Sequence, residues 1–128
     1  ERMKMNIECI RDVLLNFESL PLGCYAPYDF SFAIEKHGIS DVEYSLVKLM
    51  EAGYISADIQ RCLDGSYSYL GIYDITFPGH QFLEKIRDNK VWAKTKAVAG
   101  NIGSQAFDVI AKIATSILTN LISSKLGL

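Results

Sequence analysis

Ser40-Asp41-Val42-Glu43-Tyr44-Ser45-Leu46-Val47-Lys48-Leu49-Met50-Glu51-Ala52-Gly53-Tyr54-Ile55 is the stretch on which the fold turns. Ser40 and Glu43 match a capping box, with Ile39 and Tyr44 as its hydrophobic staple, so a helix is predicted from Asp41. Val42, Leu46, Leu49 and Met50 recur at helical spacing and form its inward stripe. Gly53 can adopt the left-handed conformation that ends the helix, folding Tyr54 back toward Leu49.

Working upstream, Ile7, Ile10, Val13, Leu14 and Phe17 share one face of a helix predicted over roughly 4–18. Glu1 and Arg2 precede Met3, and the reading sets both aside from the fold. Pro21, Gly23, Pro27 and Gly38 punctuate the next stretch, leaving room for one short strand and one helical turn. Downstream the period becomes two. Ile55, Ala57 and Ile59 mark one strand, and Tyr67, Tyr69, Tyr73, Ile75 and Phe77 mark another. Asp64-Gly65 is predicted as a two-residue hairpin turn, and Gly71 as a bulge or a close backbone contact. Thr76 is placed to cap a helix with Pro78 in its first turn and Phe82, Leu83 and Ile86 inward. Asn89 separates it from a segment carrying Val91, Trp92 and Val98. Gly100 and Gly103 are read as a hinge before a last helix, about Ser104 to Lys125.

A helix, a short strand, a second helix entering a hairpin, then more helices is the order of a winged-helix domain, an α+β fold. The run Ile75-Thr76-Phe77-Pro78-Gly79-His80-Gln81-Phe82-Leu83-Glu84-Lys85-Ile86-Arg87, continuing to Val91-Trp92-Ala93-Lys94-Thr95-Lys96, resembles an uncharacterised family of small bacterial and phage proteins. That family's pattern is L-T-x-x-G-H-x-F-L-x-x-I-R, then V-W-x-K-T-K, with Ile75 here in place of the usual leucine. The resemblance spans roughly residues 3–98. It implies a winged-helix domain over 3–98 and a phage or mobile-element origin, and no activity. Residues 99–128 are read as a hinge and an amphipathic oligomerisation helix.

At 128 residues the chain is expected to form one domain rather than a two-domain enzyme. A composition of 49% apolar and 22% charged residues suits a folded core, and a net charge of −2 does not draw the whole molecule to phosphate. Cys9, Cys24 and Cys62 form an odd set without metal-ligand spacing, and no secretory signal is read, so reduced cytoplasmic thiols are expected. No phosphate loop, dinucleotide fingerprint or nucleophile elbow occurs. Neither His80 nor His37 has a partner at ligand spacing, and His80 is expected to bond backbone at a helix start. The expectation is therefore a non-enzymatic protein without cofactor, metal or small-molecule substrate.

A winged helix raises the question of DNA. The outward positions predicted for the second helix, Asp41, Tyr44, Val47, Lys48 and Glu51, carry two acids against one base. Residues 1–60 hold five basic and ten acidic side chains. Phosphate contact needs the opposite balance, so DNA binding is the alternative reading. Basic residues gather at Lys85, Arg87, Lys90, Lys94 and Lys96. Arg87, Lys90, Lys94 and Lys96 are the candidate contacts for nucleic acid or an acidic partner, Arg87, Lys90 and Lys94 lining one face if the helix is unbroken. The plainer expectation for them is a solvated face. Trp92 is expected in core or interface, and Tyr67 and Tyr69 either present an aromatic at the wing tip or simply alternate along a strand.

The last helix carries the functional expectation. At 100° per residue, the apolar positions of 106–122 cover about 220° of its circumference. Asp108, Lys112, Thr115, Thr119 and Ser123 fill the rest. One small domain cannot readily cover so broad a face, which calls for another surface. Self-association through Val109, Ile110, Ile113, Ile117, Leu118 and Leu121 is the favoured expectation. Folding back onto the chain's own domain is close behind. A membrane comes third, because the apolar run falls short of about 20 residues and is interrupted by polar side chains.

Overall fold

The computed structural model describes residues 3–128; Glu1 and Arg2 lie outside the described residues. It is a mixed α+β structure with six α-helices and a two-stranded antiparallel sheet among those residues. The chain divides into two compact units, up to His80 and from Gln81 onward. The boundary expected near residue 98 lies inside a helix.

In the first unit, α1 (Ile7–Glu18) starts later than the periodicity suggested. Asn6 accepts hydrogen bonds from the amides of Glu8 and Cys9, ending any helix upstream. Cys9, Ile10, Val13, Leu14 and Phe17 are buried, and so are the polar Asp12 and Asn16, so α1 is enclosed on most sides. The following stretch holds a 3-10 turn (Pro27–Asp29) and α2 (Ser31–His37). The expected short strand reduces to one bridge, in which Tyr25 and Ile72 exchange backbone hydrogen bonds at 2.8 and 3.0 Å.

α3 (Ile39–Glu51) begins two residues before the predicted start and lacks the predicted capping box. Gly38, at φ 87°, turns the chain directly from α2 into α3 with no side-chain cap. Glu43 is committed elsewhere, accepting a 2.6 Å hydrogen bond from the Tyr69 hydroxyl. The other end follows expectation. Gly53 is left-handed at φ 80°, its amide reaches Met50 O, and Tyr54 N reaches back to Leu49 O at 2.9 Å. Val42, Leu46 and Leu49 are fully buried and Met50 half-buried. Each fully buried large side chain contributes about 1.5–3 kcal/mol.

β1 (Ile55–Arg61) and β2 (Tyr67–Ile75) form the hairpin. Its loop is not a two-residue turn. Gly65 N donates to Cys62 O and Cys62 N to Ser66 O, with Gly65 left-handed, which is the three-residue form around Leu63-Asp64-Gly65. Two register shifts leave Leu70 and Tyr73 without partners on β1 and interrupt the period of two. Ile72 and Ile75 therefore turn inward, while Tyr73 and Phe77, read with Ile75 in one period of two, are exposed. Gly71 lies at one shift, where a Cβ would fall 2.5 Å from the Tyr73 ring.

α4 (Phe77–Ile86) opens with Thr76 Oγ1 accepting from Gly79 N, and α5 (Asn89–Ile102) is capped by Asp88. Gly100 lies within α5 rather than in a hinge; left-handed Gly103 ends that helix. In the second unit, Phe82, Leu83, Ile86, Val91, Trp92 and Thr95 are buried. α6 (Phe107–Leu126) packs alongside α5 and ends where Gly127 turns left-handed.

Candidate functional site

A connection of only four residues, 103–106, returns the chain along α5. α6 has 20 residues against 14 in α5, a difference of about 9 Å at 1.5 Å per residue. The burial of α6 follows that difference. Ile110 and Ala114 are fully buried, and Phe107 sets its ring against Phe82 at 5.2 Å. Val109, Ile113, Ile117 and Leu118 are half-buried. Leu121, Ile122 and Leu126, on the last two turns, are 45%, 57% and 67% exposed.

This differs from the expected interface at one position. Ile110 already belongs to its own chain's core and is unavailable to a second copy. Leu121, by contrast, is exposed, and so are Ile122 and Leu126. α6 is also long and apolar enough to cross a membrane by length and composition, so the expectation that it is too short does not hold.

The basic cluster is divided. α4 ends at Ile86 and α5 begins at Asn89, so Arg87 lies in the break and does not share a helical face with Lys90 and Lys94. Arg87 hydrogen-bonds Glu84 at 2.8 and 3.1 Å. Lys96 stands 5.8 Å from the Trp92 ring centroid, while Trp92 itself is buried. Lys90 and Lys94 are exposed one turn apart on α5.

On α3, Val47, expected outward, is buried. Lys48 ion-pairs with Glu51 at 2.8 Å and lies 5.1 Å from the Tyr44 ring centroid. Its ammonium pKa is raised chiefly by that hydrogen bond to Glu51. The only base on that helix's outward side is thus held within the chain. At the wing, Arg61 stacks over Tyr67, and both Tyr67 and Tyr69 are half-buried.

Sequence reasoning missed an ionic cluster around the buried Asp12. Asp12 on α1 accepts from His37 at 2.7 Å and from Lys36 at 3.0 Å. Asn16, one turn later, accepts from the Ala33 amide at 3.0 Å. The available signal was two polar residues four apart beside an apolar stripe. His80 donates its amide to Thr76 O, and its side chain is exposed. Cys9 is a buried thiol whose pKa burial pushes up to about 11, which suppresses thiolate chemistry. Among the described residues no group of three or more His, Cys, Asp or Glu is arranged to hold a metal.

Residues 4–105 match the family described as "Hypothetical protein (DUF2513)". The chain belongs to the DUF2513 family. That description carries no activity, and the matched span ends two residues before α6 begins. No curated protein and no solved structure matches the chain.

Proposed function

We propose that this DUF2513 member is a non-enzymatic, cytosolic winged-helix interaction module that self-associates through the distal half of α6. The winged-helix reading is supported by the order α1, bridge, α2, α3, hairpin, with the Tyr25–Ile72 bridge supplying a third, minimal strand beside the wing. One observation carries the functional reading. A helix that buries Ile110 and Ala114 in its own chain presents Leu121, Ile122 and Leu126 to solvent at its far end. Clustered exposure of this kind marks a surface that another surface covers. Pairing two copies brings six such side chains together, each contributing up to about 1.5–3 kcal/mol on full burial.

Light scattering after size exclusion tests this reading. The full chain is expected to run as a multiple of 14.3 kDa, and the double variant Leu121→Ser/Ile122→Ser as a single copy. Point substitution is preferable to deleting 104–128, because deletion would also strip Ile110 and Ala114 from the core. A monomeric full-length chain at micromolar concentration would end the proposal.

A second reading, membrane association, is favoured by the length of α6, about 30 Å and close to the thickness of a bilayer's hydrocarbon core. Asp108, Lys112, Thr115, Ser116, Thr119 and Asn120 weigh against it. Cosedimentation with anionic vesicles, lost in the same double variant, would support it over self-association. DNA binding ranks behind both because Lys48 is engaged by Glu51 and Tyr44.

A further inference from the structure

We infer that the cleft between the Leu20–Leu22 turn and the end of β2 receives one long cationic side chain, a lysine presented by a second copy of this chain. The inference rests on the self-association reading and adds a second, polar contact to it. The cleft has a volume of about 170 Å³, and Leu20, Leu22 and Tyr73 contribute apolar walls. Its polar groups are Glu18, Asp74 and His80. That volume is below the roughly 300–1,000 Å³ of small-molecule pockets but can hold a single extended side chain. Apolar walls with carboxylates suit a lysine, whose methylene stem lies against hydrocarbon while its ammonium meets negative charge.

Charge complementarity identifies the donor. Residues 3–80 hold five basic and eleven acidic side chains, whereas residues 81–128 hold seven basic and three acidic. Lys90 and Lys94 are exposed on α5, and neither makes an ion pair among the described residues. Arg87 and Lys96 are already engaged by Glu84 and Trp92. The acidic cleft of one copy and the Lys90–Lys94 stripe of another are therefore complementary, and in a two-fold pair each copy offers both.

The experiment uses full-length chain, mixed as light and 15N-labelled copies, and a carbodiimide that joins a carboxylate directly to a lysine amine. The expected product links Asp74 or Glu18 of one isotope to Lys90 or Lys94 of the other. The Asp74 product cannot form in Asp74→Asn, so the ion pair is read from the Glu18 product, whose yield should fall about fivefold in that variant, the scale of a partly exposed ion pair. It should fall similarly at about 0.5 M salt, where screening acts over a few ångströms. Asp74→Lys mixed with Lys90→Asp/Lys94→Asp should restore a crosslink between position 74 of one copy and position 90 or 94 of the other. An associated sample without this crosslink overturns the cleft contact and leaves the α6 reading standing. The crosslink persisting in Leu121→Ser/Ile122→Ser retains the cleft contact and removes α6. A monomeric wild-type sample without the crosslink overturns both. Capture of an added lysine-rich peptide, without crosslinks between copies, would assign the cleft to a different basic partner and overturn the proposal.

Discussion

Replacing Gly79 by alanine should destabilise the protein, although alanine is the better helix former. Gly79 lies in the first turn of α4, against the end of α3. A Cβ there would fall 2.0 Å from the Tyr54 carbonyl oxygen and 2.8 Å from Ile75 Cγ2. The oxygen is backbone and cannot rotate aside. It also accepts from Thr76 N at 3.0 Å, and Thr76 Oγ1 donates to Gly53 O at 2.6 Å while accepting from Gly79 N. Relief therefore means moving the start of α4 by roughly 1 Å away from the groups that cap it. Overpacking costs about 1–3 kcal/mol. A weakened hydrogen bond adds about 1 kcal/mol, and alanine's helical advantage returns about 1 kcal/mol. The net expectation is a loss of about 2 kcal/mol, near 8 °C in Tm for a chain of this size. Urea unfolding followed by circular dichroism reads it directly. The matched control is Gly100→Ala in α5, where nothing lies within 4 Å and φ is not positive; it should gain about 0.5–1 kcal/mol. If Gly79→Ala proves as stable as the parent, the argument from close approach is wrong.

Alkaline pH should destabilise the fold through two groups. Burial lifts the Cys9 thiol from 9.0 to about 11, and burial with the Glu43 hydrogen bond raises Tyr69 above the ordinary phenol value of 10.0. Both folded values exceed the unfolded ones, so the stability they contribute is complete below about pH 9 and is lost as pH climbs through the folded values. Tyr69→Phe and Cys9→Ala should each flatten urea midpoints measured between pH 8 and 11, and an unchanged slope would count against these assignments. Asp12→Asn should cost about 1–3 kcal/mol, because a carboxylate enclosed between α1 and α2 loses its charge toward Lys36 and His37. A change under 0.5 kcal/mol in urea would show that the cluster is incidental to stability.

What could be read in advance was whatever short-range chemistry decides. The Gly53 terminus of α3, the Thr76 start of α4 and the breadth of α6 each depend on residues within one or two turns. Long-range events escaped. Tyr69 takes Glu43 out of its capping box from 26 residues away, and Asp12 finds His37 across 25. The bulges that turn Tyr73 outward arise from pairing with β1, which no local period encodes. At the candidate site, apolar breadth was legible in α6, but which turns are covered depends on where α5 begins. That is why Ile110 was assigned to an interface and Leu126 was overlooked.

The family match ends at residue 105, inside the short loop that precedes α6. The helix that follows is fully buried at only two side chains, Ile110 and Ala114. Substitutions on its outer turns, at Leu121, Ile122 or Leu126, therefore leave that footprint in place.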